Sequence, residues 1–326
     1  MKAQIDTAHG KSEATKTSKS KNATTESRAQ PVPEVTEGRY SDGHPLDRLQ
    51  YLEVKVILKG DRFTSVDTFQ QFAKYVKRAA KDAGIDFSRK PFKQARPRIR
   101  EVLFLDTADF RLYNNAFILR RRQDYVDGFA VGDPEVVFKF RHSDLQKTAD
   151  TDVRPNIAGD YRIKFKAEAL PLKDQIGGIR MLYSHNVEFP LSHEHVGVHP
   201  SMAALLSILP ALKTLQTADT DQIELVNATA VEEVLQDLGM FDFGKGVTAK
   251  ADVAVWRTRG DQRQLVGEFA FQCKAERWNE LQAVAMKRAE QFFVSLQYAV
   301  QDWIALGMTK TGAVYRLKGN PPHAHE

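Results

Sequence analysis

Hydrophobic and polar residues alternate through much of the chain between positions 51 and 274. A period of two is the mark of a β-strand with one apolar face. In YLEVKVILK, residues 51–59, Leu52, Val54, Val56 and Leu58 fall on one face. Tyr51, Glu53, Lys55 and Lys59 fall on the other, with Ile57 among them. Further strands are predicted at 100–106, 117–123, 135–142, 161–168, 223–229, 248–257 and 264–274. The period changes to that of a helix at 66–83, where Phe69, Phe72, Ala73, Val76 and Ala80 recur before Gly84. It changes again over 277–306, where Leu281, Ala285, Ala289, Phe292, Leu296, Ala299 and Trp303 make an apolar stripe. That stripe reads as core capping a sheet. Residues 170–221 look irregular, apart from a helix in SMAALLSILPALKTL interrupted by Pro210. Strands outnumber helices and few connections suit βαβ crossovers, so the class is α+β, dominated by an antiparallel sheet.

The polar faces change this picture from a fold to a chemistry. Arg120 and Arg122 share one face of FILRRRQ. Lys139 and Arg141 lie opposite Phe138 and Phe140. Arg162, Lys164 and Lys166 lie opposite Tyr161, Ile163 and Phe165, and Lys55 stands beside Glu53. One such face is an ordinary solvated surface. Four of them gather seven or eight cations with few carboxylates between, and like charges facing each other across a sheet are destabilising. An anion would relieve that repulsion. If the sheet curls into a barrel, these side chains line a basic tunnel suited to a polyphosphate. Glu53, Asp252 and Glu268 would add oxygen donors of the kind Mg²⁺ or Mn²⁺ prefers.

Composition narrows the classes. The 326 residues carry a formal net charge of +5, 42% hydrophobic residues and one cysteine. That suits a globular domain with a sizeable core and excludes a disulfide framework or a paired-cysteine zinc site. No apolar run is long enough for a membrane span, and the first residues lack the apolar core of a secretory signal, so a cytoplasmic protein without membrane contact is expected. Residues 1–46, rich in Ser, Thr, Lys and Glu, are expected to form a disordered tail. The main domain is placed at 47–276 with an insert near 170–221. A C-terminal helix and short strand packing on the barrel are placed at 277–318, and a second tail at 319–326.

The segment LFLDTADFRLYNNAFILRRR, 103–122, resembles a motif of the CYTH superfamily, the triphosphate tunnel metalloenzymes: an Asp-Thr turn, an Arg/Leu/Tyr run, then an arginine strand. EVKV at 53–56, VFKFR at 137–141 and GEFAFQCK at 267–274 resemble its other strands, so the likeness covers about 49–275. It implies an eight-stranded antiparallel β-barrel flanked by helices. It also implies metal-dependent hydrolysis of inorganic, thiamine or nucleoside triphosphates, of an RNA 5′-triphosphate end, or adenylate cyclisation. The polyphosphate-polymerase domain of vacuolar transporter chaperones shares the architecture. On this likeness Lys55, Arg120, Arg122, Lys139 and Arg141 would bind phosphate, with Arg162 and Lys164 beside them. Glu53 and Glu268 would hold Mg²⁺ or Mn²⁺, and Glu53 and Asp252 would serve catalysis, Asp252 orienting the attacking water.

Two departures stand out. Tyr51 replaces the first glutamate of the family strand, and Glu268, Ala270, Gln272 retains one carboxylate. A second reading therefore stays open, a protein that binds a triphosphate or nucleotide without cutting it, unless Glu188 or Glu224 supplies the missing carboxylate. A third is a partner-binding module using the C-terminal helix. The partner expected is a triphosphate-containing small molecule, with nucleic acid unlikely except through a 5′-triphosphate end, and the chain is expected to be a monomer or homodimer. His185, His193, His195 and His199 read as loop histidines rather than a metal site, and Cys273 as core.

Overall fold

The computed structural model describes residues 38–193, 200–218, 220–244, 246–274 and 283–319. Of the tails expected at 1–46 and 319–326, residues 1–37 and 320–326 lie outside the described residues, as do His195 and His199, whereas Arg39 bridges to Pro45 and Tyr40 is buried. Eleven strands are described: β1 (Tyr51–Leu58), β2 (Asp86–Ser88), β3 (Arg98–Asp106), β4 (Phe117–Val126), β5 (Phe129–His142), β6 (Arg162–Leu170), β7 (Arg180–Pro190), β8 (Glu224–Leu225), β9 (Val231–Gly244), β10 (Val247–Thr258) and β11 (Gln264–Lys274). Nine of them close a barrel in the order β9-β10-β11-β1-β6-β7-β5-β4-β3 and back to β9, while β2 and β8 flank it.

The expected eight-stranded, wholly antiparallel barrel is thus corrected. Directions cannot alternate all round a ring of nine, so one neighbouring pair must run parallel. That pair is β1 and β6, with Tyr51–Val54 opposite Lys166–Ala169. Two strands of the barrel were not foreseen. β7 lies within the segment read as an irregular insert. β9 begins just after the strand expected at 223–229, which reduces to β8 and a turn. In β9 the alternation changes phase. Ala251 and Asp252 of β10 pair with Gly239 and Asp237, so Leu238 forms a bulge. Before it Glu233 and Leu235 face inward; after it Phe241 and Phe243 face outward.

The apolar core lies outside the barrel wall. On one side Val54, Val56, Phe269 and Phe271 pack against Phe72 and Val76 of α1 (Val66–Asp82) and Phe292 and Leu296 of α2 (Ala283–Ala299). Each such ring contributes about 1.5–3 kcal/mol by leaving water. On the other side Phe117, Phe138 and Phe189 meet Met202 and Leu205 of a short helix, Met202–Ile208. Cys273 is buried in the first of these clusters, as expected. His185 departs from its reading as a loop histidine: it is buried on β7, with Nε2 3.0 Å from Asp47 and Nδ1 2.9 Å from the Thr151 carbonyl.

One end of the barrel is sealed. Inward-facing Ile57, Phe104, Leu182, Trp256 and Val266 form a buried layer with Val314 and Tyr315. These last two belong to a helix, Lys310–Tyr315, where a short strand was expected. The Asp-Thr turn noted in the sequence anchors this plug. The buried Asp106 carboxylate accepts the backbone N–H groups of Thr107, Leu112 and Tyr113 at 2.7–3.0 Å. It also accepts the Tyr315 hydroxyl at 3.0 Å. Among the described residues no helix is long and apolar enough to cross a membrane.

Candidate functional site

Inside the wall, beyond the apolar layer, the inward faces turn polar and enclose a cavity of about 390 Å³. Nine sequence-predicted residues line it together: Glu53, Lys55, Arg120, Arg122, Lys139, Arg141, Lys164, Asp252 and Glu268. Arg162 stands apart at the mouth. It borders a second cavity of about 690 Å³ and donates to Glu188 at 2.6 Å. Glu224 sits on β8 beside Asp106 and does not line the cavity.

The sequence reading missed much of the wall. Arg100, Glu168, Asn186, Glu233, Lys250 and Lys310 also line it, as do Lys166, read among the face cations, and Glu188, read as an alternative carboxylate. Far from lacking carboxylates, the described cavity sets six against ten cations. Glu168 was within reach, since it continues the alternation of Arg162, Lys164 and Lys166. Arg100 likewise precedes Val102 and Phe104 on one face. Glu188 lay in the segment read as irregular, and Glu233 on the strand hidden by the bulge. Lys310 follows no strand periodicity at all.

Most of these charges neutralise one another. Lys55 Nζ lies 2.9 Å from Glu53 and 3.1 Å from Glu168. Burial alone would drive the Lys55 ammonium down, but Glu168 and Glu53 hold it above its ordinary value. Burial likewise opposes the charge on Glu53, and Lys166 and Lys55 outweigh it, holding the carboxyl low. Glu188 accepts from Lys164 at 2.6 Å, and Lys250 pairs with Asp237 at 3.1 Å. Glu233 accepts from Arg100 at 2.7 Å and from the Trp256 indole at 2.8 Å. Arg122 pairs with Glu135.

Two groups stand outside this pairing. The Arg120 guanidinium has no hydrogen bond or ion pair among the described residues, and its Nε is buried. Burial, and then the neighbouring Arg122, push it down to about 10. Lys139, 3.7 Å from Glu168, is also pushed well below its ordinary value by burial, with Lys55, Arg141 and Arg120 adding to it. Asp252 is the opposite case, a carboxylate without a partner among the described residues. Burial, and then Glu268 and Glu53, lift it to about 7, against the opposing pull of Lys310. Asp252 and Lys55 flank Ala270, whose methyl leaves space between them.

The metal expectation can be tested on these donors. A hard divalent cation needs several free anionic oxygens. Glu53 Oε2 is shared by Lys55 and Lys166, and Glu268 Oε1 lies 2.7 Å from Lys310. Among the described residues no group of three or more His, Cys, Asp or Glu side chains is placed to hold a metal ion. The two residues expected to be ligands do not fit a resident Mg²⁺ or Mn²⁺.

A closed barrel of nine strands, charged within and open at one end, is the class of protein these features define. Solved structures similar to it include a Hippeastrum protein described as a candidate adenylyl cyclase with a dominant triphosphatase activity. It is 12% identical with a TM-score of 0.40, over 82% of this chain and 95% of its own. Another is a candidate adenylate cyclase from Bacillus halodurans, 10% identical, TM-score 0.32, over 76% and 90%. A third is a protein from Pyrococcus horikoshii, 10% identical, TM-score 0.31, over 79% and 96%. No family model and no curated protein matches the chain.

Proposed function

We propose that the cavity binds the phosphate chain of a triphosphate-containing compound, such as inorganic triphosphate or a nucleoside or thiamine triphosphate. The observation that carries this is Arg120, a guanidinium without a hydrogen bond or ion pair among the described residues, in a cavity they line with four more cations than carboxylates. Guanidinium forks match phosphate oxygens, and each charge-assisted bond contributes about 1.5–3 kcal/mol. Calorimetric titration with inorganic triphosphate tests it. Arg120→Ala is expected to weaken binding at least tenfold, and Arg162→Ala, at the mouth, by less. Equal affinity in wild type and Arg120→Ala would remove the proposal's support.

Asp252 favours a second reading, hydrolysis. A carboxylate titrating near 7 suits a general base. Water would attack the terminal phosphorus, its proton passing to Asp252. As the new P–O bond formed, the anhydride P–O bond would break, and the diphosphate's charge would fall toward Arg120 and Arg122. Phosphate release from inorganic triphosphate, ATP and thiamine triphosphate, each with Mg²⁺, Mn²⁺ or EDTA, tests both the hydrolysis and its metal dependence. Wild-type release by Asp252→Asn would exclude this role, and binding without release would favour the first reading.

A further inference from the structure

The cavity contains a cation that the chain itself delivers. Lys310 opens the helix 310–315 and reaches back into the barrel. Its Nζ lies 2.7 Å from Glu268, 3.5 Å from Glu233 and 4.9 Å from the centre of the Trp256 ring. All four side chains are largely shielded from water, with Glu233 4% and Lys310 18% exposed. This is not a loose surface pair, which would contribute little. A cation at a helix N-terminus opposes the helix dipole, so local propensity does not explain it.

The helix is also fixed in place. Tyr315 bonds Asp106, Asn227 donates to the Val314 and Tyr315 carbonyls at 2.7 and 3.0 Å, and Thr309 caps Gly312 at 3.0 Å. The ammonium therefore arrives on a rigid support, between two carboxylates from different strands.

We infer that Lys310 is a built-in counter-cation, filling the place between Glu233 and Glu268 that a divalent ion would otherwise take. It follows, on the triphosphate-binding reading above, that the cavity engages phosphate without a metal. An ammonium is a compact point charge with three donors, so it can serve both carboxylates and still face an anion.

The test is Mn²⁺ binding in the absence of phosphate, followed by electron paramagnetic resonance, in wild type, Lys310→Met and Lys310→Arg. Wild type and Lys310→Arg are expected to show no saturable binding below about 1 mM, and Lys310→Met to bind at least tenfold more tightly, the gain disappearing in Lys310→Met/Glu268→Gln. Saturable micromolar binding by wild type, lost in Glu268→Gln, would overturn the inference, and needs no lysine variant to fold. An equal gain in Lys310→Arg, or none in a folded Lys310→Met, would also overturn it. A parallel titration of wild type with inorganic triphosphate separates the two proposals. Affinity in EDTA within threefold of that in Mg²⁺ supports the built-in cation, and binding only with Mg²⁺ overturns it. No triphosphate binding under either condition overturns the function proposed above, while the Mn²⁺ titrations still decide Lys310.

Discussion

At the scale of single residues, the cavity is a network of matched charges with two exceptions of opposite sign. Among the described residues, neither Arg120 nor Asp252 has a hydrogen bond or ion pair. Asp252 makes stability depend on pH in a defined direction. Its carboxyl is raised from 3.8 to about 7, so between those values the folded state binds more protons than the unfolded chain. Its contribution is fully present below about pH 4 and is lost as pH rises through about 7. Asp252→Asn, which cannot ionise, is expected to flatten that decline. Thermal melts should show the variant and wild type alike near pH 4 and the variant more stable at pH 8, by roughly 2–4 kcal/mol. A parallel pH dependence in both would move the titration elsewhere. If the hydrolytic reading holds, phosphate release should instead rise with pH through about 7, because the base must be ionised.

At the scale of elements, the plug helix 310–315 is held by packing, by the Asn227 amide and by the Tyr315 hydroxyl. Tyr315 stacks on Tyr113 at 4.1 Å between ring centroids and donates to Asp106. Tyr315→Phe is expected to cost about 1–3 kcal/mol, since it leaves a buried carboxylate short of one donor. Tyr315→Ala should cost about 3–5 kcal/mol, from the lost ring and its cavity. Equal losses in denaturant melts would show that the hydroxyl, not the ring, carries the anchor. The element scale also explains what the sequence could reveal. β1, β4 and β5 were legible because their alternation is unbroken and their polar faces are charged. β9 was not, because the bulge at Leu238 moves its apolar residues from one parity to the other. β7 was hidden because His185, a polar ring, lies on its apolar side, where Asp47 and Thr151 satisfy it. The cations of the site could be read from strand faces. So could Glu53, Asp252 and Glu268, and Glu188 entered only as an alternative carboxylate; Glu233 could not be read, because it sat on the unread strand β9. Lys310 enters from a helix whose place in the barrel no local pattern encodes.

At the scale of the whole molecule, the barrel closes through its parallel joint. β1 and β6 pair over four residues only, Tyr51–Val54 with Lys166–Ala169, whereas β9 and β10 pair along twelve. Parallel pairs are slightly weaker per residue, and a short one opens at lower free energy. Hydrogen exchange is expected to be faster at Lys166–Ala169 than in the paired centre of β10. The reverse order would mean that Lys55, bridging Glu53 and Glu168 across this joint, holds the closure more firmly than its backbone bonds do.

The sealed end has a consequence for traffic. On the triphosphate-binding proposal, a chain of phosphates would enter by the open end of the described barrel and would not be threaded through. The protein would then meet a free terminus first, so a longer polymer would leave its remainder outside, and a closed ring would offer no end to insert. Whatever were released would have to back out past Arg162 before the next molecule went in. Products and substrates would then compete for the same passage.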